Sequence, residues 1–129
     1  MITIAEVLSN LGITEWTLNG EPTNESEFNS MFRKVTGLDD DERVILSENP
    51  DDFGVTWTQV KTKYDELVAA EPLNELRRVR NIKLAETDWT QSRDVTLAND
   101  ADWATYRQAL RDITDTYTSL DDVVWPEKP

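Results

Sequence analysis

Thr56-Trp-Thr-Gln-Val-Lys-Thr-Lys-Tyr-Asp-Glu-Leu-Val68 governs how the rest of the chain is parsed. Thr56 followed by Gln59 is a capping box: the hydroxyl and the side-chain amide oxygen each accept from a backbone N–H that a helix start leaves unpaired. Trp57, Val60, Tyr64, Leu67 and Val68 then recur on one face, so a helix is predicted from Thr56 onward. Pro72 either kinks one long helix or opens a second at its first turn. Beyond it, Leu73, Leu76, Val79 and Ile82 carry the apolar face on to Ala85.

Upstream, Thr3 with Glu6 makes another capping box, and Ile4, Val7, Leu8 and Leu11 follow at helical spacing up to Gly12. Ile13 to Leu18 reads as a half-buried strand, because Trp16 and Leu18 alternate with polar residues. Asn19-Gly20 is a turn, but Pro22 argues against an immediate partner strand. A second helix is predicted from Thr23 or Asn24, with Phe28, Met31, Phe32 and Val35 as its apolar face and Gly37 at its end. Asp39 to Glu42, then Glu48, Asp51 and Asp52, form an acidic stretch around Arg43 to Ser47, a short run read as a second strand.

Downstream, Thr87 to Asp94 reads as irregular chain, with Val95 to Leu97 a short extended piece. Asn99 or Asp100 caps a further helix, and Asp102 suits the positive end of its dipole. Its apolar stripe is Trp103, Tyr106, Leu110 and Ile113, with Arg107 and Arg111 on a neighbouring face. Val123 to Pro129 is too rich in proline for a helix and is expected to be extended. The fold class is therefore α+β: an acidic helix-and-strand domain at 1–70, then a mainly helical module with an extended tail at 71–129.

Composition narrows the chemistry. The chain has 26 acids against 13 bases, a net charge of −13, and neither Cys nor His. Such a charge repels phosphate backbones, so no nucleic-acid partner is expected. Without Cys or His there are no thiolate nucleophiles, no Cys-ligated metals and no imidazole base. Only four glycines, at 12, 20, 37 and 54, leave no phosphate-cradling loop. Close carboxylate pairs arise by chance among 26 acids, and none is marked as special. No catalytic residue, cofactor or metal ligand is assigned, and no enzyme is expected.

The acidic stretch at 39–52 lacks the alternating ligands, central Gly and closing Glu of a calcium loop, so it reads as solvated. Leu, Ile, Val and Phe supply 31 of the 129 residues, enough apolar surface for a core, and five Trp add anchors. No apolar run reaches membrane-spanning length, and the opening Met1 to Glu6 has no secretion-signal pattern. A soluble protein in a reducing cytoplasm is expected, with no membrane partner. Arg77, Arg78, Arg80 and Lys83 form a basic patch with two readings. It is either a docking face for an acidic partner or RNA, or a face that answers the chain's own acidic half, where residues 1–70 hold 14 acids and 5 bases.

Three blocks in the last third carry a resemblance: Arg80-Asn-Ile-Lys-Leu-Ala-Glu-Thr-Asp-Trp-Thr-Gln91, Ala101-Asp-Trp-Ala-Thr-Tyr-Arg-Gln-Ala-Leu-Arg-Asp-Ile113 and Val124-Trp-Pro-Glu-Lys-Pro129. In that order and spacing, residues of about 76–129 resemble the bacteriophage tail (fibre) assembly chaperone family. Thr114 to Asp122 departs from the pattern, and no family is claimed for 1–70. The resemblance implies a non-catalytic phage protein that contacts a tail or tail-fibre protein in the host cytoplasm during infection. The alternative is a structural component of the mature virion, in the tail, the neck or on the head surface, contacting other virion proteins; self-association is open in both. Carried over from the family pattern are Arg107, Arg111, Trp125 and Pro126 as partner-binding positions, and Asp88, Trp89, Trp103 and Tyr106 as structural or interface positions. Arg107 and Arg111 have a second reading, as holders of Asp88, Asp94 or the C-terminal carboxylate.

Overall fold

The Thr3 hydroxyl accepts the Glu6 N–H and starts helix α1, Ile4–Asn10, which ends at Leu11 before Gly12 turns left-handed at φ +75°. Strand β1, Trp16–Leu18, follows. Asn24 then caps helix α2, Glu25–Met31, by accepting from the Glu27 N–H. A computed structural model describes all residues, Met1–Pro129, and resolves into two compact units, Met1–Ala69 and Ala70–Pro129.

Helix α2 is shorter than the spacing of its apolar residues predicts. Phe32, Val35 and Gly37 belong instead to strand β2, Phe32–Leu38, which follows α2 with no intervening loop. The reason is tertiary: β2 is the central strand of an antiparallel sheet of order β1-β2-β3. It pairs with β1 through Trp16↔Lys34 and Leu18↔Phe32 and with β3, Val44–Ser47, through Lys34↔Ser47 and Leu38↔Val44. Two ladders satisfy its backbone groups on both sides, which outweighs the local helical pattern. Gly37 closes no helix; it lies where the β2–β3 register shifts.

The N-terminal core is aromatic. Phe28, Phe32 and Phe53 are buried among Ile4, Val7, Leu8, Val55 and Val60. Phe28 stacks on Phe32 at 5.0 Å between centroids, and Phe53 meets Phe32 edge-on at 4.7 Å. Each such ring contributes about 1.5–3 kcal/mol by leaving water, and an aromatic pair adds roughly 0.5–1.5 kcal/mol.

Helix α3, Trp57–Glu86, starts at the predicted capping box. Thr56 N–H donates to the Gln59 amide oxygen at 2.9 Å, and Gln59 N–H donates to the Thr56 hydroxyl at 3.3 Å. Pro72 lies inside this one continuous helix and starts no second one. Val60 is buried and Trp57, Tyr64 and Leu67 pack beside it, but Val68 is mainly exposed. In the C-terminal unit Leu76 is buried, and Ile82 is exposed.

The segment after α3 is more ordered than its composition predicts: Asp88–Gln91 forms a 3₁₀ turn. Helix α4, Asp100–Arg111, follows; Asn99 makes no side-chain cap, and Asp100 instead accepts the Leu97 N–H at 3.1 Å. A single turn, α5, spans Ile113–Thr116. The predicted stripe of Trp103, Tyr106, Leu110 and Ile113 is buried along its whole length. Residues 123–129 form neither helix nor strand. The fold is α+β, with five helices and a three-stranded antiparallel sheet, and no helix is long and apolar enough to cross a membrane.

Candidate functional site

The C-terminal unit is organised around Arg107. Helix α3 ends at Glu86, leaving its last carbonyls without intrahelical donors. Thr87, fully buried, folds its hydroxyl back to the carbonyls of Leu84 at 3.1 Å and Lys83 at 3.3 Å. That back-bonding is a habit of short hydroxyl side chains near helix ends. Thr90 repeats the device one turn on, donating to the Thr87 carbonyl at 2.7 Å.

Arg107 reaches this helix end from α4. One guanidinium nitrogen, Nη1, donates to the Leu84 carbonyl and the Thr87 hydroxyl, both at 2.8 Å. The other, Nη2, donates to Asp88 Oδ1 at 2.8 Å. A planar fork with fixed donor directions suits three acceptors set around a corner, and a positive charge suits a helix C-terminus. Arg107 is only 7% exposed, and its Nε is buried without a partner. Its guanidinium therefore faces inward as a tie between α3 and α4, because the open carbonyls lie inside the unit. Of the acids that the second sequence reading offered to Arg107, Asp88 is the one it holds.

Trp103 lies one turn before Arg107 on α4. It meets Trp89 edge-on at 6.0 Å and Tyr106 at 6.0 Å, so three aromatic rings run from the core towards the surface. Trp89 ends that run 52% exposed. Burial, and then the nearby Glu86 carboxylate, push the Tyr106 phenol above its ordinary pKa.

Trp125 packs against the Trp103, Tyr106 and Leu110 cluster while remaining partly exposed, with Lys83 Nζ 4.9 Å from its ring centroid. This cation–π contact fixes the tail against α3. Pro126 is half-buried and, with Asp102, Tyr106 and Ala109, lines a shallow cleft of about 380 Å³. Arg111 is exposed; its Nη1 donates to Gln108 Oε1 at 3.2 Å, and its backbone carbonyl accepts from Arg80 at 3.3 Å. The basic patch is engaged within its own unit. Arg78 pairs with Glu75 at 2.5 Å, which holds the Glu75 carboxyl below its usual range, and Arg77 reaches Asn74 at 3.5 Å.

Sequence reasoning brought Asp88, Trp89, Trp103, Tyr106 and Arg107 together as family positions, and the structure places all five within one connected cluster. Arg111, Trp125 and Pro126 lie on its surface. What was missed is the acceptor side, Leu84 and Thr87. The available signal was a threonine just past a helix end, where its hydroxyl commonly turns back. Lys83 against Trp125 was missed too, since 42 positions separate them.

This unit is a small helical module with an internal arginine tie and a partly exposed aromatic run that ends at Trp89. Residues 73–129 match the family described as phage tail assembly chaperone protein. The match begins inside α3, slightly upstream of the expected 76, and supports a role in phage tail assembly. Chaperone families are generally non-enzymatic. No curated protein matches the chain, and no solved structure does.

Proposed function

We propose that this protein is a non-enzymatic helper of bacteriophage tail-fibre assembly, working in the host cytoplasm through direct contacts with a tail or tail-fibre protein and leaving when assembly is complete. The match over residues 73–129 carries the reading. In it, residues 71–129 are the chaperone module and residues 1–70 a separate acidic domain. The client contacts are Arg111, Trp125 and Pro126, with exposed Trp89 at the margin. Asp88, Trp103, Tyr106 and the inward Arg107 are the scaffold that holds them. Tryptophan and arginine on a pre-formed surface support this assignment, because such residues dominate contact energies when a partner covers them.

The test is quantitative mass spectrometry of purified particles beside infected-cell lysate, with co-expression of the phage's own fibre protein. The expected result is abundance in lysate, absence from particles, and a higher yield of soluble fibre that the triple variant Arg111→Glu, Trp125→Ala, Pro126→Ala lowers. Recovery at tens of copies per particle would instead make the chain a resident virion component.

A further inference from the structure

The β2–β3 hairpin of the N-terminal unit exposes a run of large apolar side chains. Strand β3 is an edge, hydrogen-bonded to β2 on one side only. Its side chains Val44, Ile45 and Leu46 are 56%, 43% and 46% exposed, and Leu38 opposite is 63% exposed. Successive side chains of a strand point to opposite faces, so both faces of β3 are open, and no proline or lysine blunts its edge. Folded proteins ordinarily guard such an edge.

Charge surrounds the strand at both ends. Residues 39–52 hold seven acids and one base. Asp39 to Glu42 form the turn, whose shape is set by Asp39 Oδ1 accepting from Asp41 N–H and Arg43 N–H, both at 2.9 Å. Glu48, Asp51 and Asp52 follow the strand, with Asp52 tied to the Ser47 hydroxyl at 2.6 Å. A second copy laid along β3 would bring acids against acids in either direction, a costly arrangement at both ends.

We propose that β3 is a docking edge for a different protein, which adds an extended segment with an aliphatic core flanked by lysine or arginine. Main-chain bonds to the open edge give the segment its direction, the exposed Val44, Ile45 and Leu46 side chains cover its apolar positions, and the two acidic ends meet its basic flanks. This site lies in the unit outside the family match, and it stands or falls separately from the C-terminal contacts.

The probe is a synthetic nine-residue peptide with a Val-Thr-Val-Thr-Val core between pairs of lysines. It is titrated into the full-length chain at low salt while amide exchange of residues 44–47 is followed. Slowed exchange there is expected. It should weaken about tenfold or more when glutamates replace the four lysines, because attraction at both ends becomes repulsion. It should vanish when proline replaces the central valine. The doubly substituted Asp41→Lys, Asp51→Lys chain, altered only at exposed positions and leaving the Arg33–Glu48 pair intact, should narrow or reverse the lysine preference. No slowing, equal binding of the proline peptide, or indifference to the flanking charge each overturns the proposal. Protection that rises with protein concentration in the absence of peptide overturns it as well, by making a second copy the occupant.

Discussion

Replacing Arg107 with methionine keeps most of the apolar stem and removes the fork. Two of its 2.8 Å bonds go to the part-buried Leu84 carbonyl and the buried Thr87 hydroxyl. A hydrogen bond from a charged donor contributes about 1.5–3 kcal/mol net, so those two account for roughly 3–6 kcal/mol. The third goes to Asp88, which is 66% exposed on its side chain and regains water, so it adds no more than about 1 kcal/mol. Against this stands the orphaned Nε, whose removal relieves about 1–3 kcal/mol of desolvation. The expected loss is about 2–4 kcal/mol, which lowers a urea midpoint by about 1–2 M at an m-value near 2 kcal/mol/M. The assay is a urea titration followed by the amide signals of Trp103–Leu110, with Asp88→Asn as companion, expected to cost under about 1 kcal/mol. A shift below about 0.5 kcal/mol for Arg107→Met would mean that the guanidinium is solvated and ties nothing. An equal loss for Asp88→Asn would mean that the ion pair matters and the other two acceptors do not.

Phe32→Ala should cost about 3–5 kcal/mol by emptying the site between Phe28 and Phe53, read as a lower denaturant midpoint of the N-terminal unit. Thr56→Ala should cost about 1 kcal/mol and Gln59→Ala somewhat less, since each removes one arm of the box that starts α3, with faster exchange of the Gln59 amide as the local readout. Tyr106 has its folded-state pKa raised by burial and Glu86, so its contribution is complete below the free-phenol value near 10 and is lost as pH rises through the higher folded value. Stability of the C-terminal unit should therefore fall at alkaline pH, and Tyr106→Phe should flatten that fall.

Local signals were legible. The hydroxyl cap at Thr3, the reciprocal capping box at Thr56, the stripe of α4 and the non-helical tail each depend on residues a few positions apart, and each formed; the Glu6 arm of the box expected at Thr3 did not. The misreading at Phe32 to Gly37 has the opposite origin. Phe28, Met31, Phe32 and Val35 obey a helical spacing, yet β2 is held by strands from either side of it in sequence, which no window centred on it contains. At the candidate site the residue types were legible but not their orientation. Whether Arg107 faces a partner or the interior depends on Leu84 and Thr87, 23 and 20 positions away.

By itself, then, the sequence determined an acidic chain without His or Cys, the capped starts of α1, α2 and α3 and its α+β character, because these follow from composition and short-range spacing. Only the tertiary structure decided that β2 is a central strand, that Pro72 sits within one unbroken helix and that Arg107 turns inward. The strand and the arginine depend on satisfying backbone and side-chain acceptors and donors whose partners are distant along the chain.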